Sequence, residues 1–359
     1  MKKILFLIPH LEKTSPVTQL LGLITHLDKN KYYPVVLSFF KERPKSMRKE
    51  FEGLGIKVIC GELDRWEIHK QKKLLQNTIQ SEKPDIVHSC SVITDGICSY
   101  CKTNCRLVLT LHSYIYEDVI ERYGKIIGGF FCKCEESAIQ KANAVVTCSI
   151  TLAEKYGQRF QREFIPIQNG IEVSQWAEGK EEDKKSLRKR LGLPIDSFIV
   201  LSTNKIDSIK DPRLLIQAFK ESNFEDAYLI MLGDGNYEKE CKELASNNII
   251  FTGRVSNVKD YLYSADVLVS ASKSEGLPYA ILEAACTGIR MILSDIPQHQ
   301  EVMGKSDGVQ YFHVGAKEEL KGLLAESLFN RSRVAYDISS FTASSMSQKY
   351  QDVYDGLLK

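Results

Sequence analysis

Long hydrophobic runs are missing from this sequence. No apolar stretch in its 359 residues comes close to the ~20 residues that a membrane-spanning helix needs. The first residues combine two lysines with a short apolar run at 4–8, but Pro9 ends that run and no small-residue cleavage site follows. A secretory signal peptide needs a longer apolar core. We therefore interpret the segment as a buried first strand and expect a cytoplasmic protein.

The sequence also lacks a strong net charge, with 48 Lys+Arg against 46 Asp+Glu. This balance gives no reason to expect nucleic acid or another bulk polyanion as a partner. Residues 1–170 carry 25 cations against 18 anions, or +7, whereas residues 171–359 carry 23 against 28, or −5. The segment 41–49 alone holds five cations. It could contact an anionic membrane surface, and an ordinary solvated helix is the alternative.

Paired metal-binding motifs are absent as well. Ten cysteines are present and eight lie between Cys60 and Cys148, but no two C-x2-C pairs stand at zinc-finger spacing. The cluster Cys98, Cys101 and Cys105 fits one helix face and its end. We interpret the cysteines as reduced, small apolar residues of a cytosolic protein. A metal or redox site is the alternative.

Glycine is missing from the first predicted strand-to-helix loop, residues 9–16. A dinucleotide-binding loop needs glycines there so that the backbone can approach a pyrophosphate. Its composition therefore argues against an NAD or FAD enzyme. Thr14 and Ser15 still offer hydroxyls and backbone amides at the start of the next helix, where anions bind favourably.

Short apolar segments alternate with helical patterns along the whole chain, and the alternation restarts near residue 170. Such alternation predicts βαβ units and parallel sheets. We predict an α/β fold of two Rossmann-like domains facing across a cleft, with domains 1–170 and 171–340 and a C-terminal helix, 341–359, that crosses back to the first domain. The polar stretch 174–190 is predicted as a linker with a surface helix. Predicted strands are 3–8, 34–39, 56–60, 85–88, 107–111, 144–148, 198–202, 228–232, 249–251, 267–270, 291–293 and 309–312.

Two glutamates eight positions apart are the most informative feature. Glu275 lies in a loop after a predicted strand, and Glu283 lies about one turn inside the following helix. A strand end beside a helix N-terminus is where α/β sheets bind anionic ligands. Carboxylates there suggest a sugar-phosphate ligand. The alternative is that Glu275 is a helix N-terminal charge and Glu283 a solvated helix residue.

Two lysines follow another predicted strand end. Lys205 and Lys210 stand five residues apart around a turn. Two converging cations could neutralise a diphosphate leaving group, and two exposed surface lysines are the alternative. Further strand ends carry Gly233, in a predicted tight turn, and Arg254 with Val255, where Arg254 is either a site residue or a surface residue.

Two histidines also end predicted strands, His88 and His112. A lone histidine in such a place is more often a structural hydrogen-bonding residue than a catalyst. We interpret His88 in this way and keep His112 as a candidate.

The segment 261–302, with Ser-Glu-Gly-Leu-Pro, Leu-Glu-Ala and Ser294-Asp-Ile-Pro297, resembles the retaining glycosyltransferases of family 4. Their signature is two glutamates with seven residues between, and their architecture is GT-B. The resemblance implies a retaining hexosyltransferase that uses a nucleotide diphosphate sugar, here a UDP-sugar, and a glycan, lipid-linked or other acceptor. It implies polysaccharide or glycolipid synthesis in the cytoplasm, with the inner membrane face as a possible location. With no Asp-x-Asp motif present, it implies no metal and no cofactor.

The resemblance also implies residue roles. Lys205 and Lys210 would stabilise the leaving diphosphate, although the family more often has arginine at the first position. Glu275 would contact the donor sugar and Glu283 the nucleotide ribose. The remaining implied donor-site positions are the amides of Gly276 and Leu277, the turn at Gly233, the base-contacting backbone near Arg254 and Val255, and Thr14 and Ser15 in the first loop. His112 would face the cleft.

Two alternatives stay open. A nucleotide-sugar epimerase has the same two-domain architecture. A catalytically inactive, sugar-nucleotide-binding partner subunit would also keep the fold, and the glycine-free first loop and Lys205 leave that possibility open.

Overall fold

The computed structural model describes residues 1–43, 45–101, 104–177 and 182–359. Part of the predicted linker, 178–181, lies outside these residues. The chain forms two compact units, one of Met1–Ile171 with Phe341–Lys359 and the other of Glu172–Ser340. Among the described residues, no helix has both the length and the apolar character needed to cross a membrane.

The first unit contains a fully parallel sheet with the strand order β3-β2-β1-β4-β5-β6-β7. The five inner strands are short apolar runs whose central residues are buried, as expected for a sheet covered on both faces, whereas the two edge strands β3 and β7 are only partly buried. Its strands are β1 (Lys2–Ile8), β2 (Tyr32–Phe40), β3 (Lys57–Leu63), β4 (Ile86–Ser89), β5 (Arg106–Leu111), β6 (Ala144–Thr147) and β7 (Ile165–Pro166). The last of these was not predicted from the sequence.

Helices connect these strands. They are α1 (Ser15–Thr25), α2 (Arg48–Gly53), α3 (Ile68–Glu82), α4 (Val92–Ser99), α5 (Ile115–Lys141) and α6 (Ile150–Phe160). Pro16 stands in the first turn of α1, where its missing N–H costs nothing. Ser91 and Ser149 cap α4 and α6 by accepting bonds from backbone N–H groups.

The second unit contains another parallel sheet, with the order β10-β9-β8-β11-β12-β13. The strands are β8 (Phe198–Ser202), β9 (Ala227–Leu232), β10 (Ile249–Gly253), β11 (Val267–Ser270), β12 (Arg290–Ser294) and β13 (Val309–Phe312), and the helices are α7 (Ser174–Ala177), α8 (Lys184–Arg190), α9 (Pro212–Glu221), α10 (Glu238–Leu244), α11 (Val258–Ser264), α12 (Tyr279–Thr287), α13 (Pro297–Met303) and α14 (Lys317–Ser327). The prediction of two parallel-sheet α/β domains is confirmed.

The predicted surface helix in the linker region is more than a surface feature. Asp183 caps α8 by accepting bonds from the N–H groups of Lys185 and Ser186. Arg188 is buried and its guanidinium donates to Asp266 at 2.7 Å and to backbone carbonyls. The pairing explains why a charged helix can pack into the second unit, since a buried cation needs a carboxylate and filled donors.

A final helix, α15 (Ala343–Leu357), belongs to the first unit and packs against α1. The chain enters it beside Gly170, where a Cβ would stand 2.3 Å from the Thr342 carbonyl oxygen, so only glycine fits. Two buried tyrosines then connect the helix to the sheet. Tyr354 Oη lies 2.7 Å from His88 Nδ1, and Tyr350 Oη lies 3.0 Å from Thr110 Oγ1.

His88 is fully buried in this network. Its Nε2 lies 2.7 Å from Thr110 Oγ1, so both ring nitrogens have partners. Burial lowers the pKa of His88 to about 3, so the ring is neutral at neutral pH. The unfolded chain therefore takes up this proton first as pH falls below the ordinary histidine range, and the first unit loses stability there.

We expect Tyr354→Phe to lower the free energy of unfolding by about 1–3 kcal/mol, because it leaves a buried imidazole nitrogen without a partner. Urea denaturation measures the change. Tyr33→Phe is the matched control, because Tyr33 lies in the same unit but is 39% exposed. Equal stability of the two variants would show that the His88 bond contributes nothing.

Candidate functional site

The second unit has its topological switch point between β8 and β11. The chain leaves β8 towards β9 on one side, whereas β11 lies on the other side of β8. Loops that leave neighbouring strands in opposite directions open a crevice at the carboxyl ends of those strands, where α/β proteins bind ligands. The loop after β8 carries both candidate lysines, and the loop after β11 carries Glu275.

Lys210 and Glu275 meet across this switch point. Lys210 Nζ forms an ion pair with Glu275 Oε2, and Ser272 Oγ donates to Glu275 Oε1 at 2.8 Å. The two charged side chains are only 19% and 10% exposed. Burial alone raises the pKa of Glu275, but the Lys210 ammonium outweighs it and the pKa lies below its ordinary value. The carboxylate is therefore ionised at neutral pH.

The two loops are also held together by their backbones. Lys273 N–H donates to the Ile209 carbonyl at 2.8 Å, and Lys273 Nζ pairs with Asp211 at 2.9 Å. Asp207 Oδ1 accepts from the Lys210 N–H at 3.2 Å and so fixes the 3-10 turn Ser208–Lys210. These contacts define the positions of Lys210 and Glu275 before any ligand binds.

Lys205 lies on the same loop but has a different partner. Its Nζ pairs with Asp207 Oδ2 at 3.3 Å, and the side chain is 43% exposed. Lys205 thus remains accessible at the strand end.

Glu283 lies on α12, half-buried and four residues after the helix begins at Tyr279. Gly276 and Leu277 occupy the short connection between Glu275 and this helix, and Leu277 is buried. Glu275 itself stands before the Pro278 N-cap and outside the helix. The alternative that Glu275 serves as a helix N-terminal charge therefore does not describe its position.

The Gly-Asp-Gly turn after β9 supports the lysine loop by close packing. Gly233 has φ +123°, and a Cβ there would stand 2.5 Å from the Asn204 carbonyl oxygen. A Cβ at Gly235 would stand 2.0 Å from the Ile206 carbonyl oxygen. Arg254 pairs with Asp234 of this turn at 3.0 Å, and Val255 follows it, half-buried. The turn therefore sets the path of the chain around Lys205.

Sequence reasoning missed one residue of this site, His299. It lies on α13, is fully buried, and its Nδ1 stands 2.8 Å from the Ser294 carbonyl oxygen. Its Nε2 stands 3.4 Å from Ser270 Oγ, which in turn lies 3.2 Å from Ser272 Oγ. Since Ser272 donates to Glu275, His299 belongs to the network that orients the carboxylate. Burial lowers the pKa of His299, so the ring is neutral at neutral pH.

The signal for His299 was its place after the strand end Ser294, two residues past Pro297. That spacing does not distinguish a buried histidine from an exposed one, because burial depends on how α13 packs.

Three candidates lie in the first unit. Thr14 is the N-cap residue of α1 without a side-chain capping bond, and Ser15 is the first residue of that helix. His112 follows β5, and its buried Nε2 has no hydrogen-bond partner among the described residues. Burial lowers the pKa of His112 to about 4, so the ring is neutral at neutral pH.

Metal ligands are not clustered in the described part of the chain: no group of three or more His, Cys, Asp or Glu side chains there could hold a metal ion. Within the same residues all ten cysteines are free thiols.

Two family models match the chain, one in each half. Residues 17–175 match the model described as Glycosyltransferase Family 4, and residues 183–334 match the model described as Glycosyl transferases group 1. The second match includes Lys205, Lys210, Glu275 and Glu283.

Curated relatives are similar over most of the chain. A putative teichuronic acid biosynthesis glycosyltransferase of Bacillus subtilis is 29% identical over 80% of this chain and 74% of its own. A UDP-Gal:alpha-D-GlcNAc-diphosphoundecaprenol alpha-1,3-galactosyltransferase of Escherichia coli is 26% identical over 67% of this chain and 65% of its own. Anabaena Alr3699/HepE, solved in complex with UDP-glucose, has a TM-score of 0.84 at 16% identity and covers 99% of this chain and 100% of its own. The last similarity concerns the fold.

Proposed function

The chain is a glycosyltransferase with the GT-B fold, and we propose that it transfers a hexosyl residue from a nucleotide diphosphate sugar to an acceptor with retention of configuration. The observation that carries the proposal is the Lys210–Glu275 pair at the switch point of the second unit. A cation and a carboxylate held side by side match a substrate that presents phosphate charge next to sugar hydroxyls.

In this proposal the leaving group is stabilised by charge. Cleavage of the bond between sugar and diphosphate develops negative charge on the diphosphate, and Lys210 Nζ would bind that charge in a half-buried site where it is effective. Lys205, which is more exposed, would assist from the same loop. Lysine lacks the bidentate fork of arginine, so Lys205 would act as a point charge.

The carboxylates would select the sugar and the nucleotide. Glu275 is ionised and oriented by Ser272, so it can accept hydrogen bonds from donor-sugar hydroxyls. Glu283 would accept from the ribose, while the backbone N–H groups of Gly276 and Leu277 precede α12 and would face the sugar or phosphate. The backbone at Arg254 and Val255 would meet the base, and the turn at Gly233 would lie near the donor, as the resemblance implies. No residue is assigned as a covalent nucleophile.

For the donor and acceptor we propose a UDP-sugar and a glycan or lipid-linked acceptor. The names of the relatives support this choice, since they refer to teichuronic acid synthesis and to a UDP-galactose transfer onto a diphosphoundecaprenol-linked sugar. We further propose that Thr14, Ser15 and His112 of the first unit contribute to substrate binding. No cofactor or metal takes part in this proposal.

A donor panel tests the function. We expect one UDP-sugar to raise the melting temperature and to be hydrolysed slowly by the purified chain without acceptor. Ligand at a hundred times its Kd adds about 2.7 kcal/mol of stability. Proton NMR of the transferred or hydrolysed sugar reads its anomeric configuration, and an inverted first-formed product would contradict retention. No shift and no turnover with any nucleotide sugar would contradict the proposal.

The two alternatives are not favoured. Both family models describe glycosyltransferases, which a nucleotide-sugar epimerase would not explain. An inactive partner subunit would have no need for an ionised, oriented Glu275 beside Lys210. Product analysis with and without acceptor separates the epimerase from the transferase.

We also propose that the protein is cytoplasmic and that its first unit contacts an anionic membrane surface, as a lipid-linked acceptor would require. The segment 41–49 suggested this from the sequence, although Pro44 lies outside the described residues. At least three of its five cations are paired with carboxylates: Lys41 with Asp64 at 3.0 Å, Arg43 with Glu12 at 2.6 Å and Arg48 with Glu52 at 2.7 Å. Its outward positive field is therefore smaller than the count of cations implies.

A further inference from the structure

A buried network of polar side chains connects Glu275 to α13. Ser270 and Ser272 stand at the end of β11 and in the loop after it, Ser294 ends β12, and His299 lies on α13. All four residues are at most 2% exposed. Side chains buried to this extent exchange hydrogen bonds with one another rather than with bulk water. The hydrogen atoms available to the network can therefore be counted.

The hydrogen atoms at the two ends of the network are fixed by their acceptors. His299 Nδ1 stands 2.8 Å from the Ser294 carbonyl oxygen, and because a carbonyl only accepts, Nδ1 carries a hydrogen. Ser272 Oγ stands 2.8 Å from Glu275 Oε1. The ionised carboxylate also only accepts, so the Ser272 hydroxyl donates its hydrogen there. A neutral imidazole with its hydrogen on Nδ1 has none on Nε2.

Ser270 lies between these two ends and cannot satisfy both. Its Oγ stands 3.4 Å from His299 Nε2 and 3.2 Å from Ser272 Oγ. With a neutral ring, each of these contacts requires the single hydrogen of the Ser270 hydroxyl, since Ser272 has given its own to Glu275. The Asn204 amide does not help, because it donates to Ser270 Oγ as well, at 3.2 Å. The network therefore has one hydrogen atom fewer than it has contacts.

A proton on His299 Nε2 supplies the missing hydrogen. The imidazolium then donates to Ser270, Ser270 donates to Ser272, and Ser272 donates to Glu275. All the hydrogen bonds point the same way, from a cation to a carboxylate, and bonds aligned in such a chain strengthen one another. The protonated ring is thus a second possible counter-charge for Glu275, besides Lys210.

Two charges act on this proton in opposite directions. Burial lowers the pKa of His299, the Glu275 carboxylate raises it, and the Lys210 ammonium lowers it. In the protein without ligand, Lys210 Nζ forms an ion pair with Glu275. The carboxylate already has a cation there, and the ring stays neutral.

Other titratable groups stand on the elements around α13. Burial raises the pKa of Cys286 on α12 and of Tyr311 on β13 to about 12, so both are neutral at neutral pH. Glu283 lies on α12, and Asp295 precedes α13 and accepts from the Val314 N–H at 3.1 Å. Negative charge on these two carboxyl groups favours the protonated ring, as Glu275 does.

We propose that binding of a nucleoside diphosphate is coupled to proton uptake by His299, which replaces Lys210 as the counter-charge of Glu275. The proposal rests on the proposed function, in which Lys210 Nζ binds the diphosphate. Once the phosphate takes that ammonium, Glu275 is a carboxylate only 10% exposed, and a buried charge without a partner is costly. A proton from the solvent, bound at Nε2, restores the balance. His299 is a positioning residue, because it acts through Ser272 and Glu275.

Calorimetric titration of the full chain with UDP measures the uptake. Titrations at about pH 7 in buffers of different ionisation enthalpy give the number of protons taken up on binding. We expect uptake by the wild type and its loss in His299→Gln, because an amide does not take up a proton in this range. Any proton that UDP itself gains or loses is common to both proteins and cancels in the difference.

The pH dependence of UDP affinity provides a second measurement. Because binding raises the pKa of His299, UDP should bind more tightly as pH falls through the pKa of the bound state. The gain should be complete below the pKa of the free state. Relative to His299→Gln, the wild type should gain about tenfold in affinity between about pH 8 and about pH 6. A purely structural effect of the substitution would weaken binding equally across this range.

Two further variants keep the test decisive if His299→Gln does not fold. Ser270→Ala keeps the ring but removes its link to Ser272, and should lower the uptake. Lys210→Ala removes the cation from the free protein, so His299 should be protonated before UDP binds. Nitrogen NMR of isotope-labelled histidine reads this state directly. We expect a neutral ring with its hydrogen on Nδ1 in the free wild type, and a doubly protonated ring with UDP or in Lys210→Ala.

His313→Gln is the matched control. His313 is the other histidine of the second unit, is 77% exposed and pairs with Glu319, so its replacement should leave the uptake unchanged. UDP binding without proton uptake, uptake that persists in His299→Gln, or uptake that disappears in His313→Gln would overturn this proposal and leave the proposed function intact. Absence of binding by UDP and by other nucleoside diphosphates would overturn both.

Discussion

Glu275→Gln is expected to lower the rate of sugar transfer by about 100-fold or more, as removal of one preorganised electrostatic group does in other enzymes. The amide keeps the shape of the side chain but loses its charge. Lys210 then has no anionic partner, and Ser272 no longer donates to a carboxylate. Steady-state transfer assays with a UDP-sugar donor measure the effect, together with thermal unfolding to show that the fold is intact.

Glu283→Gln is expected to reduce turnover severely as well, because it would lose the proposed contact to the ribose. The control is Glu225→Gln, an exposed glutamate in the same unit between α9 and β9, which should transfer at the wild-type rate. Near-normal transfer by both Glu275→Gln and Glu283→Gln would show that the donor-site assignment is wrong.

Because the pKa of Glu275 lies below its ordinary value, the ion pair between Glu275 and Lys210 should be lost only in acid, as pH falls through that pKa.

Lys210→Ala is expected to weaken binding of a nucleoside diphosphate by about 1.5–3 kcal/mol, the usual magnitude for a hydrogen bond to a charged group. Binding of the corresponding monophosphate should change much less, because the proposal sets Lys210 Nζ at the outer phosphate. Isothermal titration with UDP and UMP provides the comparison. The variant also leaves Glu275 without its cation, so the pKa of Glu275 should rise.

The matched control for this variant is Lys189→Ala. Lys189 is an exposed lysine on α8 of the same unit. It should leave the difference between UDP and UMP unchanged. Equal losses of UDP and UMP affinity in Lys210→Ala would place this lysine away from the outer phosphate.

The strands of both sheets could be predicted from the sequence because they are short apolar runs between loops. In the second unit, for example, the runs at Phe198–Ser202 and Val267–Ser270 are observed with the predicted bounds. A parallel sheet covered on both faces requires such runs. β7 was missed because it has only two residues and one of them is a proline. The buried Arg188 was missed because its partner Asp266 is far away in the sequence.

The candidate site likewise has features that the sequence could predict and features that depend on the tertiary structure. Residue type and spacing were enough to select Glu275 and Lys210 as candidates, since charged residues after buried strands collect at one edge of a parallel sheet. Their contact follows from the placement of β11 directly beside β8, which is a property of strand order. His299 was missed for a related reason, because its burial depends on how α13 packs against the loops after β11 and β12.

The sequence by itself therefore determined the type of fold, the strands and the charged residues available for phosphate and sugar, because each depends on local pattern and composition. The tertiary structure alone decided which of these residues meet, and it also decided which apolar faces stay exposed. The spacing of Tyr123, Ile126, Ile127 and Phe130 is that of a core-facing helix. Ile126, Ile127 and Phe130 are nevertheless exposed, whereas Cys134 and Ala138, further along the same helix, are buried. A periodic pattern fixes one side of a helix but not the neighbour that covers it.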